Sequence, residues 1–144
     1  MRNYTHLTIY TDGASRGNPG PAAAGIHIVD DTTKQTVEDF GVALGIATNN
    51  VAEYQAVLHA VEWLLAHKEL LAADIHINFR MDSKLVASQL SGQWKIQDPK
   101  MRQLTGDIRE RLCQLPGTHA FGYIPREENT EADRVANHTL DKHS

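Results

Sequence analysis

An α/β layered domain, in which a mixed sheet is covered by helices, is the fold class the sequence predicts. Three observations lead there. Three strand-like runs come first with short punctuation between them; a long amphipathic stretch then leads into a fourth alternating run; helical and strand-like segments alternate from there onward. Short connections make the first three strands antiparallel neighbours. The fourth follows a long helical crossover, so it runs parallel to a strand it neighbours, and the first strand is the natural candidate.

The elements follow in order. "YTHLTIYT" (4–11), "AAAGIHIVD" (22–30) and "QTVEDFGVAL" (35–44) read as strands, with "DDTTK" between the second and third as a hairpin turn. "TDGASRGNPGPAAAG" (11–25) reads as a strand end carrying Asp12, followed by a loop crowded with turn-forming Gly, Pro and Asn. "TNNVAEYQAVLHAVEWLLAHKELL" carries Val51, Leu58, Val61 and Leu65 at helical spacing, with Val57 and Leu64 widening the stripe. In "ADIHINFRMD" Ile75, Ile77, Phe79 and Met81 point one way, and His76, Asn78, Arg80 and Asp82 the other. A helix over 83–90 follows, then "SGQWKIQDP", then a helix over 99–114 with Pro at its start. The strand "HAFGYI", the loop "PREEN" and the helix "TEADRVANHTL" come last.

Length and composition narrow the class. The 144 residues read as one domain over 1–144, and a net charge of −4 gives no basic footprint, so a nucleic-acid partner would need locally placed cations or bound metal. One cysteine forms no internal disulfide and no apolar run approaches a membrane span, so a reducing cytoplasm is the expected setting. Cys113 lies in "IRERLCQL", where Ile108, Leu112 and Leu115 share a helical face, and it reads as a core or half-buried thiol.

Four carboxylates fall at element junctions. Asp12 opposes Leu7 and Ile9 in parity and Asp82 opposes Met81, so the two can lie side by side on one sheet face at a carboxyl edge, where open α/β sheets bind ligands. Glu53 begins the long helix and Asp133 the last one. Each has a structural alternative: Asn50 and Glu53 have capping-box spacing, Asp82 could cap its helix, and Asp133 could complement a helix dipole. Together, however, the like charges repel unless a cation lies among them. Hard divalent ions with oxygen ligands suit such a cluster, and two of them about 4 Å apart support phosphodiester hydrolysis. The loop glycines would then let backbone approach a phosphate, with Asn18 donating to it.

"TDGASRGNPGPAAAG", "TNNVAEYQAVLHAVE", "MDSKLV" and "NTEADRVAN", in this order around the expected elements, resemble type 1 ribonuclease H over nearly the whole chain. The resemblance implies a ribonuclease H-like fold, a five-stranded mixed sheet in order 3-2-1-4-5 flanked by helices. It implies hydrolysis of the RNA strand of an RNA/DNA hybrid by Asp12, Glu53, Asp82 and Asp133 as the catalytic, metal-binding set, with two Mg²⁺ ions or Mn²⁺ as substitute. It further implies a groove lined by Asn18, Thr48, Asn49 and Asn50, with backbone at Gly13 and Ala14 contacting the RNA. Asn50 carries both a capping and a substrate role in this reading. No membrane and no obligatory protein partner is implied.

Two departures from the family pattern matter. Where many members insert a lysine-rich handle, this sequence has only "SGQWKIQDPK", which is similar to the handle-less branch and predicts weaker, less salt-dependent binding. Trp94, Lys95, Lys100 and Arg102 are candidates for contact with the DNA strand, or else Trp94 covers a loop core and the cations are solvated. Trp63 reads as packing, and Lys84 either reaches a phosphate or covers its helix face. The second departure is "IPREENTEAD", which lacks the loop histidine of many members. Arg126 or Glu127 stands nearest; the Arg126 guanidinium can stabilise a phosphate but cannot shuttle a proton at neutral pH. His138 and His143 either reach the groove or stay solvated. A structure-specific DNA nuclease and a catalytically dead hybrid-binding module are the competing functions.

Overall fold

The computed structural model describes residues 3–143. Strands β1 (Tyr4–Ser15), β2 (Gly20–Asp30) and β3 (Gln35–Ala47) form an antiparallel meander; α1 (Asn49–Ala66) crosses to β4 (Leu71–Met81); α2 (Lys84–Leu90) and α3 (Pro99–Leu112) lead to β5 (Thr118–Tyr123); and α4 (Thr130–Lys142) follows. The sheet order is β3-β2-β1-β4-β5, with β4 parallel to both β1 and β5. Strand parity builds the core: Leu7, Ile9, Ile26, Ile28, Ile77 and Phe79 face α1 and are buried, and Phe79 stacks on Phe121 of β5. No helix among the described residues is long and apolar enough to cross a membrane.

The stretch expected as a loop is mostly strand. β1 continues through Ser15 and β2 begins at Gly20, because Gly13, Ala14 and Ser15 pair with Ala24, Ala23 and Ala22, leaving only 16–19 as the turn. The small residues serve helix approach. A side chain at Gly13 would collide with the backbone of Ala52 and Glu53 in α1, and one at Gly25 with that of Ala132 and Ala136 in α4. The glycines at these two positions therefore bring helices to opposite faces of the sheet.

Other boundaries moved for local reasons. Helix α1 buries Ala56, Val57, Ala60, Val61 and Leu64, while Val51, Leu58 and Leu65 lie at the half-buried flanks, since alanines share the close-packed line. Thr48, not Asn50, is its cap, with Oγ accepting from the Val51 N–H at 3.2 Å. Ser83, not Asp82, caps α2 by accepting from the Val86 N–H. Helix α3 ends at Leu112, and Cys113 is exposed: Leu104, Ile108 and Leu112 form the inward line, and the next residue is turned away by about 100°. "PREEN" forms a short 3-10 turn, Arg126–Glu128. Trp63 packs against the core, stacks on His67 and donates through Nε1 to Glu38.

Candidate active site

Three elements deliver three carboxylates to one point. Asp12 lies inside β1, Asp82 directly follows β4, and Glu53 projects from the first turns of α1; one oxygen of each lies within 4.8 Å of the others. The parallel pairing of Thr11 with Met81 sets Asp12 beside Asp82. Glu53 is no capping residue. Its Oε1 accepts the Gly13 N–H at 3.0 Å, so α1 is tied to β1 at the residue after Asp12. Asp133 comes from α4, within hydrogen-bond reach of Asp12, and is steadied by Asn137 Nδ2 at 3.2 Å from its Oδ1.

The electrostatics follow from this crowding. Burial, with the nearby charges of Asp82 and Asp133, pushes the Asp12 carboxyl up from 3.8 to about 7, although its hydrogen bond with Glu53 acts in the opposite direction. Glu53 is also raised well above the ordinary carboxylate range, first by burial and then by the Asp12 charge. Its Oε2 is buried with no N–H or hydroxyl partner. An all-oxygen donor set with such an orphaned oxygen and unrelieved like charge fits a hard divalent cation. A second titratable group among the described residues, His27, Asp39 and Glu131, already contains a cation: Arg134 lies 3.6 Å from Asp39 and 2.9 Å from Glu131.

The carboxylates line a hollow of about 480 Å³ together with Gly13, Ala14, Asn49, Asn50 and Arg126. Asn18 and Thr48 stand behind its rim. Asn18 Oδ1 accepts the Asn49 N–H at 3.1 Å, and Thr48 caps α1, so both fix the backbone that presents Asn49 and Asn50. The remaining candidates lie elsewhere. Lys84 lines a separate hollow between α2 and β5, and Trp94 lines another with Gln89, Arg102 and Arg109. Lys95 and Lys100 are exposed, and the Lys95 carbonyl accepts from Gln89 Nε2. His138 and His143 face a hollow beside β3 with Arg134 and Lys142, away from the carboxylates.

Two residues escaped the sequence reading. Asn129, almost fully buried, donates through Nδ2 to the Thr11 carbonyl at 2.9 Å and to Asp82 Oδ2 at 3.2 Å, tying the start of α4 to β1 and to a carboxylate. It occupies the N-cap position of α4, but its side chain makes no capping hydrogen bond. Asn137 is the other, and its spacing of one helical turn from Asp133 was the available signal.

Comparison with known proteins agrees with this architecture. Residues 10–139 match the family described as reverse transcriptase-like. The chain is 42% identical to a ribonuclease HI of Halobacterium salinarum over 92% of this chain and 63% of that one. It is 30% identical to a ribonuclease H of Verminephrobacter eiseniae over 94% of this chain and 91% of that one. Among solved structures, LC11-RNase H1 in complex with RNA/DNA hybrid superposes with a TM-score of 0.88 at 36% identity, covering 95% of this chain and 98% of that one. The chain spans 63% of the length of the Halobacterium relative and 35% of the mycobacterial relatives that also match.

Proposed function

Because this chain belongs to the type 1 ribonuclease H family, we propose that it is an endonuclease that hydrolyses the RNA strand of RNA/DNA hybrids. The observation that carries the reading is the convergence of Asp12, Glu53 and Asp82 within 4.8 Å, with Asp133 in reach of Asp12. These carboxylates would hold divalent cations, Mg²⁺ with Mn²⁺ as substitute, which when bound supply water activation and charge neutralisation at the leaving oxygen.

The chain's own residues supply position and selectivity. Asn49 and Asn50 present amide donors and acceptors along one wall of the hollow, which suits hydrogen bonding to ribose 2′-hydroxyls, the groups that mark RNA. Arg126 on the other wall offers a permanently charged fork to a phosphate, before cleavage or on the product. Asn129 holds the Asp82 carboxylate in place. Trp94 and Arg102, remote from the carboxylates, are available to the second strand of the duplex. Cytoplasmic hybrids are the proposed substrates, in a setting where Cys113 stays a free thiol.

A substrate panel tests the reading. One labelled sequence is offered as RNA/DNA hybrid, double-stranded RNA, single-stranded RNA and double-stranded DNA, with Mg²⁺, Mn²⁺ or chelator. Cuts confined to the RNA strand of the hybrid and lost with chelator are expected. Cleavage of duplex DNA would favour the structure-specific nuclease, and binding without cleavage the inactive module.

A further inference from the structure

Beside the carboxylate hollow lies a smaller one, of about 200 Å³, between α2 and β5, lined by Lys84, Ser88, Ser91, Gln93, Phe121 and Tyr123 among others. Tyr123 is 51% exposed, which makes it, with Ile46 and Trp94, one of the large apolar side chains the described residues leave in solvent. Nothing in the fold requires this exposure. Phe121, with the same parity on β5, is spent in stacking on Phe79, whereas Tyr123 sits at the strand end, half exposed across the small hollow from α2. Its backbone is firmly placed: Tyr123 pairs with Met81, and the next N–H, that of Ile124, donates to the Met81 carbonyl at 2.9 Å. The Tyr123 backbone is therefore held at the end of β5, beside the end of β4, which Asp82 directly follows.

The two hollows have no lining residue in common, but their linings are neighbours along the chain on two sides. On the helix side, Ser83 lines the carboxylate hollow and Lys84, the next residue, lines the smaller one. On the strand side, Tyr123 lines the smaller hollow and the chain continues to Arg126, which lines the larger. An exposed aromatic face, an ammonium group and two hydroxyl-bearing side chains around one small hollow have the chemistry of a nucleotide seat. The ring stacks on any base, the lysine meets a phosphate, and the hydroxyls hydrogen-bond to sugar or phosphate oxygens. The volume suits a single nucleotide; a partner helix or a second copy of the chain would need a far broader apolar face.

We infer that this hollow is a subsite for one nucleotide flanking the cut, in the strand that crosses the carboxylates, with Tyr123 stacking on its base and Lys84 on its phosphate. The inference rests on the reading of the chain as a hybrid nuclease. Its mark is length dependence: the subsite acts only when the substrate extends far enough past the cut to fill it.

The test uses hybrids with one defined cut, shortened base pair by base pair from each side in turn, and the wild-type, Tyr123→Ala, Tyr123→Phe and Lys84→Ala proteins. On long hybrids Tyr123→Ala raises KM about tenfold, the loss of one base stack, with the effect falling on KM and not on kcat. Tyr123→Phe keeps the ring and restores the wild-type KM, and Lys84→Ala raises KM in the same direction. Shortening from one side removes the difference between wild type and Tyr123→Ala. Equal KM for wild type and Tyr123→Ala on every hybrid, or a defect that persists at every length, overturns the subsite. Failure of the wild-type protein to cut any hybrid overturns the nuclease reading itself, and the subsite with it.

Discussion

Asp12 sits among Glu53, Asp82 and Asp133 with its carboxyl pushed up to about 7 by burial and by the charges of Asp82 and Asp133. Between 3.8 and about 7 the folded chain keeps a proton there that the unfolded chain has lost, so the metal-free protein loses stability as pH rises through that window. Asp12→Asn removes the penalty. At pH 8 without metal it should be the more stable protein by about 2 kcal/mol in urea denaturation, and the difference should shrink toward pH 4. A variant less stable than wild type at pH 8 would contradict the repulsion. Asn129 should behave in the opposite way. Asn129→Ala frees the Asp82 carboxylate and the Thr11 carbonyl together, with an expected loss of about 2 kcal/mol and a fall in kcat larger than the rise in KM. Strand parity makes the pairing of Asp12 with Asp82 legible in the sequence, because period two leaves one choice of face. Nothing comparable exposed Asn129, whose partners lie on β1 and just past the end of β4 and are fixed only by the docking of α4.

The helices reach the site through the glycines of the first hairpin. Gly13 lets α1 press close enough for Glu53 to take the Gly13 N–H, and Gly25 lets α4, which carries Asp133, press close to β2. Gly25→Ala should therefore cost about 3 kcal/mol in denaturant and also lose cleavage, because α4 must shift with Asp133 on it. Thr48→Ala, which removes only the cap of α1, should cost about 1 kcal/mol and retain most of the cleavage rate. Equal loss of activity in the two would mean that helix approach is not what assembles the site. The order and type of the elements could be read from periodicity, yet the ends of β1 and β2 could not. A run of Gly, Ala, Pro and Asn carries the local signature of a loop, and here pairing of Gly13, Ala14 and Ser15 with the alanines of β2 overrides it. Cys113 is exposed rather than half-buried for a related reason: Ile108 and Leu112 do form the inward helical line, and the thiol falls one position past it.

At the scale of the molecule, a net charge of −4 and an acidic hollow leave phosphate binding to scattered cations, with Arg126 in the hollow, Lys84 beside it and Arg102 and Arg109 farther off. Affinity for hybrid should fall with salt at a logarithmic slope of only about −2 to −4, measured with the Asp12→Asn protein so that no substrate is consumed. A much steeper slope would reveal a basic surface that the structure does not display. Topology was the most legible feature at this scale, since short hairpin connections and one long crossover admit few sheet orders. The separation of Trp94 and Lys95 from the carboxylates was not, because loop direction after α2 depends on tertiary packing. The central claim is that the clustered carboxylates catalyse hybrid cleavage, and it is tested most directly by single-turnover cutting of a labelled RNA/DNA hybrid in Mg²⁺ by wild type and Asp12→Asn. The account predicts RNA-strand products from the wild type and a rate lower by about a thousandfold or more in the variant. Comparable rates from the two proteins would contradict it.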